Sequence, residues 1–578
     1  MDKTSRNNVL VQDKKFLTKA YNSALIPCML TILGGCINII ADGIIVGQKA
    51  GEGGLAAINL CIPVYLVLCI LGSFFVSGTA ISASQAIGDD NIDEAQRFYG
   101  TAVSTCLIAS AAAMAAGIFL SAPIAELLCA DDAVRPMVFD YTIVTLIGAA
   151  PKILIYIPFW FLRLDGKNKT VTVMMTVMGI GNVLLDILFM FVMDMGVFGA
   201  ALASVISTAV ACVLGFFALH RGKTSFRLKA ALPTSKQLLK IAATGSPAAI
   251  NNLMQTIKLL FMNYVLAKYG GSGALAVFSV INGIAAFSDA VTVGVPQAGS
   301  AMLGVFHGEH DTKSLRIVMN IEFCSGIVFS ALFGLLITAG SDLIRIMYGI
   351  NIPMFVPMLC LAVSLFPALM NSMFSTFYNI SSRPMLSNMI ITLRSFVFAA
   401  AAIFIFCITD MIPWLFLPAA EILTLAVWFA VTGIAHKRIK NSSRYLLEDL
   451  SLEKSGKVIN FSLIGDPNDI CSACEKITGF CEENGMNMKQ TVRISLAMEE
   501  MLTLITQENG TSDINFDIRV FALDDATGIR IRYDGIDFDP LSFDDDDDKF
   551  MGIVMIKKLV KSTVYRRVLG MNALIILL

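Results

Sequence analysis

The sequence predicts an all-α polytopic membrane protein, with twelve transmembrane helices in two six-helix lobes and a C-terminal α/β two-layer sandwich domain. The chain has 578 residues, of which 56% are hydrophobic and only 15% are charged. This balance leaves too little polar surface to cover a water-soluble globule. Apolar stretches of about 20 residues, the length of a membrane-spanning helix, follow one another as far as residue 435. The charge-rich residues that follow indicate a soluble domain.

The apolar stretches also predict the domain boundaries. Residues 1–232 are expected to form an N-lobe, residues 233–440 a C-lobe, residues 441–456 a linker and residues 457–578 a cytoplasmic domain. The predicted spans lie near residues 16–48, 54–86, 98–122, 136–162, 169–193, 195–219, 240–267, 274–305, 316–340, 353–378, 386–408 and 411–435.

An even number of spans places both termini on the same side of the membrane. Lysine and arginine concentrate in the N-terminal arm, in the loops on that side and after the last span, so the positive-inside rule predicts that this side is cytoplasmic. We therefore expect a multi-pass protein of the plasma (inner) membrane, with no removable signal peptide. The 43 Lys+Arg residues nearly balance the 45 Asp+Glu residues, which argues against a nucleic-acid partner.

The membrane part is internally repeated. Residues 54–89 have a counterpart in residues 273–309, and the equivalent positions Gly88 and Gly308 lie at the same place in each copy. Six spans return the chain to the same side, so the two copies have parallel topology. Duplicated halves around a central cavity are the usual architecture of a secondary transporter.

A carboxylate inside a span is costly and therefore indicates a functional site. Asp42 lies late in the first predicted span, while Asn182 and Asp186 share one face of the fifth because they are four residues apart. If that face points at Asp42, like charge and desolvation disfavour two ionised carboxylates. Such a site would hold a proton or an oxygen-ligated cation. The alternative is a structural polar cluster that locks the helices together.

Several motifs resemble those of the multidrug and toxic compound extrusion (MATE) family over residues 15–436. They are DGIIVG at 42–47, GLAA at 54–57, QAIG at 85–88, LDGK at 164–167, GNVLLD at 181–186 and GVFGAALA at 196–203.

The resemblance implies a cation-coupled antiporter with two lobes around a cleft, exporting amphipathic, often cationic, organic molecules. It also implies a hydroxyl ligand from the sixth helix at the cation-coupling site. Ser204 is the nearest match, with Ser207 and Thr208 close by. The coupling ion is H⁺ or Na⁺, because the same carboxylates suit both, and no cofactor is expected.

The C-lobe has buried charges of its own. Lys258 lies in the seventh span and Asp289 in the eighth, and pairing is the least unfavourable arrangement for them. Lys258 could instead repel cationic substrates or attract anionic ones. Arg394 and Glu421, in the eleventh and twelfth spans, suggest a second pair with the same ambiguity.

Metal and redox chemistry are not expected. The four histidines fall at membrane edges or in loops, and none is spaced with cysteines as zinc ligands are. Cys471 and Cys474 form a C-x-x-C motif with Cys481 nearby, but a fourth ligand is missing. We interpret these thiols as residues of a helix core.

The tail alternates strands and helices and resembles the ATPase-like domain of anti-sigma-factor serine kinases and histidine kinases. The matches include LAMEE at 496–500, DGIDFDP at 534–540, Gly552 and residues 565–572, so the resemblance implies a nucleotide site with Glu500, Asp534, Gly535 and Gly552. The family's magnesium-binding Asn and adenine-reading Asp are replaced by Leu504 and Tyr533. Neither side chain can supply the missing group, so we interpret the domain as a degenerate site used for regulation or protein binding, with ATP binding left open.

The leading hypothesis is therefore an antiporter for small organic substrates, surrounded by lipid and tuned by its cytoplasmic domain. Two alternatives remain: a membrane-tethered sensor built on a transporter fold, and a flippase for a lipid-linked precursor. Direct ATP-driven pumping is disfavoured, because no Gly-x-x-x-x-Gly-Lys-Ser/Thr phosphate loop is present.

Overall fold

The computed structural model falls into two compact units. The membrane unit comprises Tyr21–Lys440 and Arg444–Leu447, and the tail unit comprises the chain before Tyr21, Asn441–Ser443 and the chain from Glu448 onward. The residues that the structure describes are 12, 14–129, 131–132, 134–221, 226–227, 231, 233–348, 351–409, 411–439, 441–455, 457–486, 488–511, 513–522, 527–542 and 562–577.

Twelve long helical segments make up the membrane unit, and α1 starts in the tail unit. In chain order they are α1 (Lys14–Gly51), α2 (Ala56–Gly88), α3 (Ile92–Leu128), α4 (the bent pair Arg135–Ile147 and Ala149–Leu164), α5 (Asn168–Val192), α6 (Gly196–His220), α7 (Ser235–Val265), α8 (Gly273–Gly308), α9 (Thr312–Ala339), α10 (Phe355–Ile380), α11 (Pro384–Ile408) and α12 (Pro413–Arg438). A short helix, Ser341–Met347, follows α9.

In the part of the chain that the structure describes, ten of these helices are long and apolar enough to cross a membrane, and α4 makes eleven if its bent pair is one span. The chain is thus a multi-pass membrane protein, but the prediction of twelve apolar spans is confirmed only in part. Helix α7 lies where the seventh span was predicted. This helix is not among the ten apolar ones. Its three lysines, Lys236, Lys240 and Lys258, and several amide side chains lower its hydrophobicity.

Two breaks shape the first six helices. Gly51 separates α1 from α2 with φ +64°, ψ −160°, a conformation that costs a non-glycine residue free energy. Helix α4 bends by 59° between Ile147 and Ala149. At the bend, a Cβ on Gly148 would overlap the side chain of Val205 in α6. The bend therefore depends on close backbone packing against α6.

The two halves of the membrane unit, α1–α6 and α7–α12, meet at a pair of equivalent glycines. A Cβ on Gly88 of α2 would overlap the Val305 carbonyl of α8, and a Cβ on Gly308 would overlap the Gln85 carbonyl of α2. Helices approach this closely in membranes only where small residues form the contact. The sequence repeat thus places a matching small residue on each side of this junction.

Part of the predicted linker packs on the membrane unit. The Arg383 guanidinium donates to the carbonyl of Leu446 at 3.1 Å and to that of Leu447 at 2.6 Å, and the Tyr378 hydroxyl donates to the Tyr445 carbonyl. Residues 444–447 are therefore held by α10 and the turn that follows it. The membrane unit extends beyond the last helix to Leu447.

The tail unit is a two-layer α/β sandwich, as predicted. Its sheet is antiparallel throughout, with strand order β1-β2-β3-β5-β4. The strands are β1 (Val458–Ile464), β2 (Asn515–Ala522), β3 (Thr527–Tyr533), β4 (Ser562–Val568) and β5 (Met571–Leu577), and the helices are α13 (Pro467–Glu483) and α14 (Met488–Glu508). The sequence also predicts an acidic solvated loop at residues 544–548 and a helix from Gly552, and both lie outside the described residues.

Apolar side chains of α13 and α14 form the core with one face of this sheet. Ile477, Met501 and Phe516 are fully buried there. A buried ion pair lies elsewhere in the sheet: the Arg532 guanidinium donates to Asp517 at 2.9 Å, and Asp517 also accepts from Gln12. Burial lowers the pKa of Arg532 to about 9, since an uncharged guanidinium is easier to desolvate.

The cysteines of the tail belong mainly to its core. Cys474 and Cys481 are buried, whereas Cys471 is exposed, so the C-x-x-C cysteines do not share one buried face. Burial raises the pKa of Cys474 and of Cys481 to about 11. In the described part of the chain, no group of three or more His, Cys, Asp or Glu side chains is placed to hold a metal ion.

The thiol environments predict selective alkylation. With a pKa of about 11, only roughly one Cys474 thiol in a thousand is ionised at pH 8, and the thiolate is the nucleophile. Iodoacetamide should therefore modify Cys471 and leave Cys474 and Cys481 intact until the domain is unfolded, as read by peptide mass spectrometry. Equal labelling of Cys471 and Cys474 in the folded protein would contradict this core assignment.

Candidate functional site

The structure brings two carboxyl groups together in the first helical half. Asp42 of α1 and Asp186 of α5 lie close enough for their charges to interact. Asp186 is fully buried, and neither of its carboxylate oxygens accepts a hydrogen bond from any residue that the structure describes. Two ionised carboxylates would repel each other strongly in such an environment. This arrangement suits a proton or a cation between them.

An asparagine precedes each of these aspartates by one helical turn. Asn38 Nδ2 donates to Asn182 Oδ1 at 2.9 Å, so the Asn38–Asp42 face of α1 meets the Asn182–Asp186 face of α5. The four-residue spacing on α5 was predicted from the sequence, whereas Asn38 was not. The same four-residue spacing on α1 is the signal that would have revealed it.

Ser204, the predicted hydroxyl ligand, faces a lysine in the structure. Its Oγ accepts from Lys152 Nζ at 3.5 Å, and its backbone carbonyl accepts from Ser207 and Thr208 at 3.2 and 2.7 Å. Ser204 and Asn182 line the same cavity of about 310 Å³. The residues lining this cavity do not include Asp42 or Asp186, so two of the four predicted ligands line it and two do not.

Two further polar residues of α4 belong to this region and were missed. Lys152 is only 5% exposed, lies 5.2 Å from the centre of the Tyr65 ring and interacts electrostatically with Asp42. Tyr141 interacts with both aspartates. Lys152 lies inside a predicted span, so the rule that identified Asp42 as functional would also have identified this lysine.

In the second half, one predicted ion pair is present and the other is not. Arg394 Nη2 lies 3.0 Å from Glu421 Oε1, and Asn371 donates to Glu421 Oε2 at 2.7 Å. The expected Lys258–Asp289 pair was wrong: no ion pair joins these two among the described residues. Lys258 interacts at longer range with Arg394, Glu421 and Asp289. Lys258, Asp289, Arg394 and Glu421 therefore interact as one cluster, in which Arg394 and Glu421 form a direct ion pair.

A buried carboxyl in α9 was also missed. Glu322 is fully buried, and neither of its carboxylate oxygens has a hydrogen-bond partner among the described side chains and backbone. A Cβ on Gly299 of α8 would overlap its Oε1. A glycine on the facing helix is therefore required to accommodate this carboxyl group.

The residues of the expected nucleotide site have structural contacts in the tail unit. Asp534 accepts from the backbone N–H and the side-chain amide of Asn515 at 2.9 and 3.0 Å and pairs with Lys19 at 2.8 Å. Gly535 adopts φ +106°, where a Cβ would overlap Asn509. Glu500 lies on α14, and Gly552 lies outside the described residues.

The residues that replace the two missing nucleotide ligands are part of the core. Leu504 is 1% exposed and Tyr533 is fully buried. Neither position presents an oxygen ligand at the surface of the domain.

Comparison with known proteins identifies the family. Two stretches of equal length, residues 27–192 and 247–412, match the family model MatE, and together they cover more than half of the chain. The chain belongs to the MatE family. It is accordingly a secondary active transporter and not an enzyme. Each match falls in one half of the membrane unit, in agreement with the internal repeat.

Known MatE relatives share this part of the chain. The multidrug export protein MepA of Staphylococcus haemolyticus is 22% identical over 325 residues, covering 56% of this chain and 71% of that protein. MepA of Staphylococcus saprophyticus is 24% identical over 326 residues, with the same coverage.

Solved structures of the family show the same fold. A crystal structure of a MATE transporter in complex with MaD3S gives a TM-score of 0.68 at 20% identity, covering 73% of this chain and 97% of the other. A MOP superfamily transporter from Pyrococcus furiosus gives a TM-score of 0.65 at 20% identity, covering 71% of this chain and 94% of the other.

Proposed function

We propose that this MatE transporter is a cation-coupled antiporter that exports amphipathic organic compounds by alternating access. In this proposal its twelve helices form two six-helix lobes, both termini are cytoplasmic, and H⁺ or Na⁺ is the coupling ion. The observation that carries the proposal is the meeting of Asp42 and Asp186, from two different helices, inside the first half of the membrane unit.

A site shared by α1 and α5 can couple ion binding to helix movement. With no ion bound, the two carboxylates repel each other and favour separation of the helices; a proton or cation between them removes that repulsion. An ion that binds one helix arrangement better than another shifts the equilibrium between the two arrangements. Asp42, Asn182 and Asp186 offer oxygen ligands for Na⁺, and the two carboxyls alone suffice for H⁺.

The junction of the two halves provides the element that alternates. Gly88 and Gly308 pack against the opposite helix at the ends of α2 and α8, which the positive-inside rule places on the cytoplasmic side. When this junction is closed, the cleft would be open to the outside. When the junction is open, in the alternate state, the cleft would be open to the cytoplasm. The relatives named multidrug export proteins support small organic compounds as the cargo.

The coupling site predicts the behaviour of two conservative variants. Asp42→Asn and Asp186→Asn remove a charge while keeping shape, so each should reduce gradient-driven dye efflux at least tenfold. The measurement is efflux of a dye panel from everted or intact vesicles, with proton and sodium gradients imposed separately. Asp342→Asn is the matched control, because Asp342 is exposed and its ion pair is with Arg345, one helical turn away.

Efflux that persists unchanged in both aspartate variants would refute the coupling proposal. Loss in Asp342→Asn as well would mean that the assay reports expression or folding.

We further propose that the tail domain regulates transport, alone or with a cytoplasmic protein partner. Lys19 pairs with Asp534 within the tail unit, and Lys19 belongs to α1, the helix that carries Asp42. A change in the tail that breaks this pair would release the start of the helix that holds the coupling site.

Truncation tests the regulatory role. Because residues 444–447 pack on the membrane unit, the chain should be cut after Leu447. The truncated protein is expected to keep gradient-driven efflux with an altered rate, and Lys19→Glu should reproduce that change while Lys14→Glu, at an exposed position, should not. Complete loss of efflux in a normally inserted truncated protein would contradict a regulatory role and favour the sensor hypothesis.

A further inference from the structure

We propose that the cavity of the first helical half binds the carboxylate of a small amphipathic organic anion through Lys152. The inference rests on the proposed function in one respect, since it names the class of compound that the transporter carries. It differs from the expectation of cationic cargo, which came from the family resemblance. The cavity is about 310 Å³ and is lined by residues of α1, α2, α4, α5 and α6.

Lys152 is a buried cation that has no direct ion-pair partner among the described residues. The residue is 5% exposed, and its Nζ makes one direct hydrogen bond, to the Ser204 hydroxyl at the long distance of 3.5 Å. No carboxylate approaches Nζ within ion-pair distance in the described part of the chain, and Asp42 acts on it only from farther away. An ammonium group buried in a membrane protein is costly unless something compensates its charge. The cavity beside it is where a compensating anion can enter.

Asn182 lines the same cavity and carries a second unsatisfied donor just behind its surface. Asn182 Nδ2 is buried and donates to no described group, because the hydrogen bond to Asn38 uses the amide oxygen. A carboxylate only accepts hydrogen bonds and has two oxygens, so it can use the Lys152 ammonium group together with the Asn182 amide nitrogen once that side chain turns toward the cavity. Asn38 Oδ1 is likewise buried without a partner among the described residues.

The remaining wall suits an apolar body. Ile155, Phe159, Met175 and Met178 line the cavity, and thioether side chains adapt to ligands of different shape. A mainly apolar pocket with a few convergent polar groups is the usual form of a small-molecule site. A cationic compound would meet the Lys152 ammonium group here without a carboxylate in the wall to offset it. An aromatic or aliphatic carboxylic acid fits both the charge and the surface.

The test uses two probes that differ only in charge. Binding of 2-naphthoate and of 2-naphthamide to the purified full-length protein is measured by calorimetry, at neutral pH and without any ion gradient. Wild-type protein should bind the carboxylate at least ~10-fold more tightly than the amide, equivalent to about 1.4 kcal/mol. Lys152→Met should abolish this preference and Lys152→Arg should retain it. Lys268→Met, which changes an exposed lysine, should leave it intact.

Three results would overturn the anion site. They are a wild-type preference for the amide, a carboxylate preference that survives Lys152→Met, and binding of neither probe by wild-type protein. Thermal unfolding of each variant ensures that a lost preference is not lost structure. Naphthoate binding without any gradient-driven efflux would refute the antiporter and leave the anion site standing. Efflux that depends on Asp42, with no preference for naphthoate, would refute the anion site and leave the antiporter standing.

Discussion

The free-energy cost of burying charge in the hydrocarbon core shapes this molecule more than any other interaction. A chain with 15% charged residues keeps most of them in loops and in the tail, so each charge left among the helices requires compensation. Arg394 and Glu421 compensate each other at 3.0 Å. Asp42 with Asp186, Lys152 and Glu322 have no such direct partner among the described residues. These uncompensated groups are therefore the places where a proton, an ion or a substrate is expected to bind.

Close contact between helices is the second constraint. The internal repeat meets it by placing a glycine at the same position in each half. Gly88 and Gly308 occupy equivalent places in the two copies, and each lies where a single methyl group would overlap the backbone of the opposite helix. Gene duplication thus places matching small residues on both sides of one junction. Small residues let two helices approach this closely, which suits a junction between the two halves of a transporter.

The sequence predicts what lies along one helix better than what lies between helices. The four-residue spacing of Asn182 and Asp186 indicated their shared face, and the cost of a carboxylate in a span indicated Asp42. Lys152 lies beside Ser204 just after the 59° bend of α4. Gly148 and Pro151 mark a break in this helix, but they do not specify the angle or the neighbour that Lys152 meets. The Lys258–Asp289 pair was predicted because two unpaired buried charges are costly. The distance between two helices, however, cannot be derived from their separate sequences. In the tail, the sequence patterns predict strands near 458–464, 514–522, 528–533, 563–568 and 573–578 and helices near 468–483 and 488–507. These match all five described strands and both long helices.

The central claim is that movement of cargo and movement of an ion share the site formed by Asp42 and Asp186. The most direct measurement reverses the usual assay. A dye gradient is imposed across proteoliposomes with no ion gradient, while a trapped pH indicator and a trapped sodium indicator report ion movement. Dye movement should drive H⁺ or Na⁺ in the opposite direction, and Asp186→Asn should abolish the ion movement. Dye movement in wild-type protein with neither ion displaced would contradict coupling through this site.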